Sequence, residues 1–215
     1  LKENGSKKKS VTIGVLGYQG DIEENVAATK QALEDLEVQG SVKVVRYPDE
    51  IEKVDGLVLP GGESTVQGTL AAIRQSLPVL KKRISDGMPV LGTCAGMIML
   101  SRRAFDRVVG DMKQKLISNL DVVIERNAFG RQNESFEADI SIDMIGKEAF
   151  RGVFIRAPAV TEIGKDVEVL SRFNNRIVAV RQKNILGTAF HPELADDSRM
   201  HRHLVKMVLD YNSTS

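Results

Sequence analysis

The sequence predicts an α/β fold: a mostly parallel sheet covered on both faces, with antiparallel strands added in the second half. Three observations carry this. Through about residue 100, short apolar runs alternate with amphipathic helical stretches, the pattern of parallel strands linked by helices. Those runs are continuously apolar rather than alternating, as strands buried on both faces are. After about residue 120, β-type runs follow with little helix between them, and Asn174-Asn175 and Lys183-Asn184 sit where hairpin turns belong.

Taken in order, residues 11–16 (VTIGVL) read as a buried strand ending in the turn Gly17-Tyr18-Gln19-Gly20. Asp21 reads as a helix N-cap, with Glu24 three residues on closing a capping box. Ile22, Val26, Leu33 and Leu36 recur at helical spacing, which predicts an amphipathic helix over residues 22–37. Residues 42–45 form a second strand and residues 56–59 a third, stopped by Pro60-Gly61-Gly62. Helical stretches begin near Thr65 and run up to about Ser85; Asp86-Gly87 turns into a fourth short strand over residues 89–92. The basic stretch 101–119 (Arg102, Arg103, Arg107, Lys113, Lys115) reads as a solvated loop and helix face. Residues 121–125, 136–142, 152–156, 167–170, 177–182 and 185–189 read as strands. Residues 198–211 form a closing helix with Met200, Leu204, Met207 and Val208 on one face.

The 215 residues, 42% apolar and 27% charged, suit one globular domain over residues 11–215. Residues 1–10 read as a disordered lead-in or an expression remnant. The net charge is +1; Lys2, Lys7, Lys8 and Lys9 against Glu3 contribute +3, so the remainder sums to −2. Such a body is not built to neutralise a nucleic-acid backbone. One cysteine excludes an internal disulfide framework and a Cys-rich zinc site. No apolar run approaches the roughly 18 residues of a transmembrane helix, and no signal-type apolar segment follows the N-terminal lysines. A reducing, cytoplasmic setting is expected, without membrane contact and without a cofactor or metal.

Three turns carry chemistry. Gly92-Thr93-Cys94-Ala95-Gly96 joins a strand to the apolar run Met97–Leu100, a nucleophile-elbow pattern with Cys in place of Ser. A helix N-terminus beneath such a side chain favours its anion. The bland reading is a small buried hydrophobe. Phe190-His191-Pro192-Glu193 follows a strand, so His191 can act as base and Glu193 can hold its far ring nitrogen. A surface turn with an incidental histidine is the alternative. His201 and His203, among charged neighbours in the closing helix, are expected to face solvent. Leu59-Pro60-Gly61-Gly62-Glu63-Ser64 presents backbone N–H groups to an incoming oxygen, or is an ordinary capped turn; no Gly-Lys-Ser/Thr follows, so a phosphate loop is not supported. All three turns fall at predicted strand carboxyl ends, where open parallel sheets build their sites. Together they describe acyl transfer through a thioester.

The motifs Pro60-Gly61-Gly62-Glu63-Ser64-Thr65, Gly92-Thr93-Cys94-Ala95-Gly96-Met97 and His191-Pro192-Glu193-Leu194 resemble the class I, triad-type glutamine amidotransferases. Arg126-Asn127-Ala128-Phe129-Gly130-Arg131-Gln132 and Phe154-Ile155-Arg156-Ala157-Pro158 narrow the resemblance to the glutaminase subunits of pyridoxal 5′-phosphate synthase, over about residues 11–212. The resemblance implies a flavodoxin-like three-layer sandwich with added strands. It implies hydrolysis of L-glutamine to glutamate and ammonia, which passes to a separate (β/α)₈-barrel synthase subunit in a large hetero-oligomer. It implies Cys94 as nucleophile, His191 as base and Glu193 as its orienter. Glutamine would be held by Gly62, Glu63, Ser64, Arg126, Ile155 and Arg156. The backbone N–H groups of Gly62 and Ala95 suit an oxyanion. Arg126 and Arg156 suit a substrate carboxylate, or a structural ion pair. Gln19 is the residue expected to couple partner docking to activity. Gly17-Tyr18-Gln19-Gly20 departs from the family, which more often has Leu-Gln-Gly there, but Gln19-Gly20 is retained. Two other readings are an amidotransferase domain feeding a different acceptor, and a catalytically silent binding module.

Overall fold

A computed structural model describes residues 10–130 and 134–214. The expected lead-in, apart from residue 10, and Arg131-Gln132 lie outside the described residues. The first half runs β1 (Val11–Leu16), α1 (Ile22–Asp35), β2 (Gly40–Val45), α2 (Pro48–Ile51), β3 (Gly56–Leu59), α3 (Ser64–Ile73), α4 (Leu77–Ser85), β4 (Val90–Thr93) and α5 (Ala95–Leu100). The second runs β5 (Ser101–Asp106), β6 (Gly110–Asp111), β7 (Leu120–Glu125), β8 (Ser135–Ile140), β9 (Phe150–Ile155), β10 (Ala159–Ile163), β11 (Glu168–Phe173), β12 (Arg176–Gln182), β13 (Ile185–Thr188) and α6 (Arg199–Thr214).

One large sheet has the order β2-β1-β3-β4-β13-β12-β10-β7-β5-β6, with β11 on β12. From β2 to β13 every neighbouring pair is parallel. From β13 through β12 and β10 to β7 the pairs are antiparallel. The predicted class is therefore observed: a parallel α/β half with an antiparallel extension. Chain direction turns back at β1, since β2 lies on one side of it and β3 on the other. Right-handed crossovers then put α1 on one face and the helices after β2 and β3 on the opposite face. α1 packs with α6, while α5 contacts α3 and strands β3, β4 and β13. In α6 the predicted face is buried: Met200, Leu204 and Val208 are wholly covered and Met207 nearly so. Each such side chain contributes about 2 kcal/mol of apolar burial.

Both predicted hairpin turns form. Asn174 and Asn175 have φ +48° and +62° and join Phe173 to its cross-strand partner Arg176. Lys183 has φ +54° in the two-residue link between the paired Gln182 and Ile185. Asparagine tolerates this region better than most side chains.

The stretch 101–119 departs from expectation, because its start is strand rather than loop and helix face. β5 runs parallel to β7 and then pairs with β6. Its basic residues are half-exposed strand positions neutralised across the sheet: Arg102 meets Asp121 and Glu162, and Arg103 meets Asp111. β10 is a further strand that the sequence reading did not identify. β8 and β9 form a separate ribbon rather than joining the main sheet. Phe136 and Phe154 stack at 4.6 Å on the ribbon and pack on Phe173 of β11 and on Phe129, which docks it on the body.

Candidate active site

The candidate residues converge from strand ends and one ribbon. Between β4 and α5, Cys94 has φ +46° and ψ −102°, costly for any residue but glycine. Its N–H donates to the Thr188 carbonyl at 2.7 Å. Gly96 lets α5 approach β3 so closely that a Cβ there would overlap the Leu59 carbonyl. Ala95 opens α5, so its N–H has no partner within that helix. The thiol is nearly buried, with Sγ 3.9 Å from the Ile155 carbonyl.

His191 lies just beyond β13, and its N–H donates to Val153 of the ribbon at 2.8 Å. Glu193 sits in the 3-10 turn Pro192–Leu194 with its side chain wholly covered. His191 Nδ1 is 2.9 Å from Glu193 Oε1. Nε2 is buried without a hydrogen-bond partner among the described residues. Burial works to lower the His191 pKa, but hydrogen bonds with Asp21 and Glu193 and the charge of the nearby Cys94 sulfur outweigh it and push the value up to about 12. The two carboxylates thus favour the charged form of the ring.

The loop after β3 supplies the third wall. Gly62 has φ +142°, and the Gly61 carbonyl accepts the Asp21 N–H at 3.2 Å and the Gln67 side-chain amide at 3.4 Å. Since the described peptide bonds are trans, the Gly62 N–H points away from those donors. Glu63 caps α3, accepting from Thr65 N–H at 3.3 Å, and receives Arg126 Nη2 at 2.8 Å. Arg126 therefore stands on the cleft wall paired with Glu63. Arg156, with φ +44°, makes no ion pair among the described residues.

Of the sequence-selected residues, Gly62, Glu63, Ser64, Cys94, Arg126, Ile155, Arg156 and His191 line one cleft of about 230 Å³. Glu193 lies behind His191. Gln19 lies behind the glycine loop, its Oε1 accepting Glu63 N–H at 2.6 Å. A larger cavity of about 400 Å³ shares the Arg126 and Arg156 walls but not Cys94 or His191.

Two expectations fail. Asp21 makes no side-chain cap to α1, so the capping box does not form. Instead it lines the cleft, with Oδ2 3.1 Å from His191 Nδ1. The acid's cap-like position in sequence hid this role. His201 does not face solvent; it is fully buried, with Nε2 3.3 Å from Asn25 Oδ1. Charged sequence neighbours misled because it lies one residue from Met200, on the buried side of the helix. Asp21, His191 and Glu193 also offer three ligand atoms within 4.8 Å of one another. Both acids meet the same ring nitrogen at hydrogen-bond distance, which suits a shared proton.

A buried thiol in an elbow, a histidine backed by a carboxylate and a glycine loop define a thiol-dependent acyl-transfer enzyme on a doubly wound sheet. The chain belongs to the SNO glutamine amidotransferase family, whose model matches residues 15–210. It is 50% identical to the pyridoxal 5′-phosphate synthase subunit PdxT of Nitrosopumilus maritimus, over 93% of this chain and 97% of that protein. It is 48% identical to the PdxT of Archaeoglobus fulgidus, over 91% and 97%. A solved structure described as a glutamine amidotransferase superposes with a TM-score of 0.79 at 41% identity, over 91% of this chain and 98% of that one.

Proposed function

We propose that this chain is the glutaminase subunit of a pyridoxal 5′-phosphate synthase, releasing ammonia from L-glutamine through Cys94, His191 and Glu193. The observation that carries this reading is the 2.9 Å contact between His191 and the covered Glu193, with the ring bordering the same cleft as the Cys94 thiol.

The Cys94 thiolate attacks the side-chain amide carbon of glutamine. The N–H groups of Gly62 and Ala95 receive the oxyanion. His191 gives its Nε2 proton to the departing ammonia, leaving a thioester. It then takes a proton from water, which attacks the thioester and frees glutamate. Glu193 keeps the ring oriented throughout. The Glu63–Arg126 pair offers one charge of each sign, suited to the α-amino and α-carboxylate groups of a zwitterionic substrate; Arg156 adds a second carboxylate donor. Ser64 and Ile155 border the same space.

The ammonia acceptor is a separate synthase subunit, a (β/α)₈ barrel with which this chain forms a hetero-oligomer; the relatives named as synthase subunits support that reading. Mixing the chain with that subunit and measuring glutamine-dependent coenzyme formation tests it. Glutamine hydrolysis without coupled coenzyme formation would instead indicate a different acceptor.

A further inference from the structure

We propose that Asp21 is a positioning residue for this reaction: a second carboxylate that shares the Nδ1 proton of His191 with Glu193. The inference rests on the triad reading above and extends it to the loop between β1 and α1.

The two acids reach the ring from different elements. Glu193 comes from the turn that carries His191 itself. Asp21 comes from across the site, its Oδ2 at 3.1 Å against 2.9 Å for Glu193 Oε1. Nδ1 carries one proton, so the contact is a forked hydrogen bond to two anions. The sequence position would suit Asp21 to a helix cap, yet its carboxylate leaves the helix N–H groups unused. Its backbone is fixed independently. The Asp21 N–H donates to the Gly61 carbonyl, and its own carbonyl accepts both the N–H and the side-chain amide of Asn25, at 3.2 and 2.7 Å. Asn25 is buried and meets His201 of α6. The carboxylate is therefore aimed by a scaffold that does not depend on His191.

The other charged groups around His191 do not duplicate this role. Cys94 faces it from the elbow, and Glu63, Arg126 and Arg156 line the same cleft. The loop after β3 meets it with Gly61, and the ribbon with the Val153 carbonyl, both uncharged. Hydrogen bonding to His191 holds the Asp21 carboxyl below its ordinary range, so it is an anion at neutral pH. A second anion favours the imidazolium that delivers the proton to ammonia. The Asp21 N–H also fixes the Gly61 carbonyl, so the acid and the loop bearing the Gly62 N–H are set by one residue.

The test compares the parent chain with Asp21→Asn, Asp21→Ser and Asp21→Glu. Two readouts are followed as pH rises: the charge state of His191 by ¹⁵N-histidine NMR, and the alkaline limb of kcat/KM for glutamine. Asn and Ser retain a helix-capping oxygen but no charge. Both are expected to move the two readouts down by about one pH unit, a tenfold easier loss of the proton, and Glu is expected to restore them. Unchanged readouts in Asp21→Asn and Asp21→Ser, whatever their thermal stability, would overturn the proposal and leave Asp21 a turn residue. The NMR arm does not require hydrolysis. A Cys94→Ala chain that still hydrolyses glutamine would sink the triad reading instead, so the two failures are distinguishable.

Discussion

The side-chain oxygen of Gln19 accepts the backbone N–H of Glu63 at 2.6 Å, tying the loop after β1 to the loop after β3. Gln67 reinforces the tie by donating to the carbonyls of Gln19 and Pro60, at 2.9 and 3.1 Å. Gly20, with φ +108°, completes it, because a Cβ there would overlap the Gly61 carbonyl. Anything that shifts the first loop must shift the glycine loop and its N–H groups.

Gln19→Ala is expected to lower kcat for glutamine by about tenfold, a fraction of the 10²–10³ that a lost oxyanion donor costs, with little change in KM. Docking of the synthase on the first loop is expected to raise the parent's kcat through the same tie. A hundredfold activation requires only about 2.7 kcal/mol of differential binding. Steady-state hydrolysis with and without saturating synthase measures both effects. Equal kcat in the two conditions would dismiss the switch while leaving the triad untouched.

Cys94→Ala is expected to abolish glutamine hydrolysis, while added ammonium still supports coenzyme formation by the complex. Cys94→Gly should be equally inactive but more stable than Cys94→Ala by about 1–2 kcal/mol, since glycine relieves the φ +46° strain. Urea unfolding of the two variants measures the difference. Equal midpoints would mean that the elbow stores no such strain.

Glu193→Gln is expected to reduce kcat by about 10³-fold, less than the roughly 10⁴ seen where a triad has one orienting carboxylate. The remaining support is Asp21, so the double variant Asp21→Asn/Glu193→Gln should lose more than Glu193→Gln alone. A kcat unchanged in Glu193→Gln would show that the 2.9 Å contact has no part in the reaction.

What was legible in the sequence follows from how local each signal is. The elbow glycines, the His-Pro-Glu turn and the two hairpin turns are set by short-range sterics, and all were read correctly. The parallel strands announced themselves as continuous apolar runs. The β8–β9 ribbon was visible as strands, but nothing local says that Phe136 and Phe154 pack on Phe129 and Phe173 instead of joining the sheet. β5 was missed because Arg102 and Arg103 look solvated until Asp111, Asp121 and Glu162 are brought alongside. Asp21 was misread for the same reason: its partner lies 170 residues away, and a local rule offered a sufficient explanation. His201 was misread because its environment is set by α1, not by its sequence neighbours.

His201 gives the fold an acid limit. The side chain is fully covered, and burial drives its pKa down to about 4. Asn25 commits its amide nitrogen to the Asp21 carbonyl and so presents its oxygen to His201, which carries its single proton on Nε2. An unfolded chain protonates this histidine near pH 6.5. Between about pH 6.5 and 4 the unfolded state therefore binds a proton that the native state does not. The contribution is complete above that window and is lost as pH falls through it, by about 3 kcal/mol in total. His191 does not mask the effect. Its raised pKa supplies stability that is present below about pH 6.5 and lost only as pH rises toward about 12. Asp21, held below its ordinary range, loses its share only at still lower pH. Urea midpoints measured at neutral pH and at about pH 5 should therefore differ clearly in the parent chain. His201→Gln keeps a donor for Asn25 but cannot titrate, so its midpoint should change much less between the two pH values. A His201→Gln chain with the parent's full acid dependence would assign that loss to His203 instead, whose pKa burial also lowers.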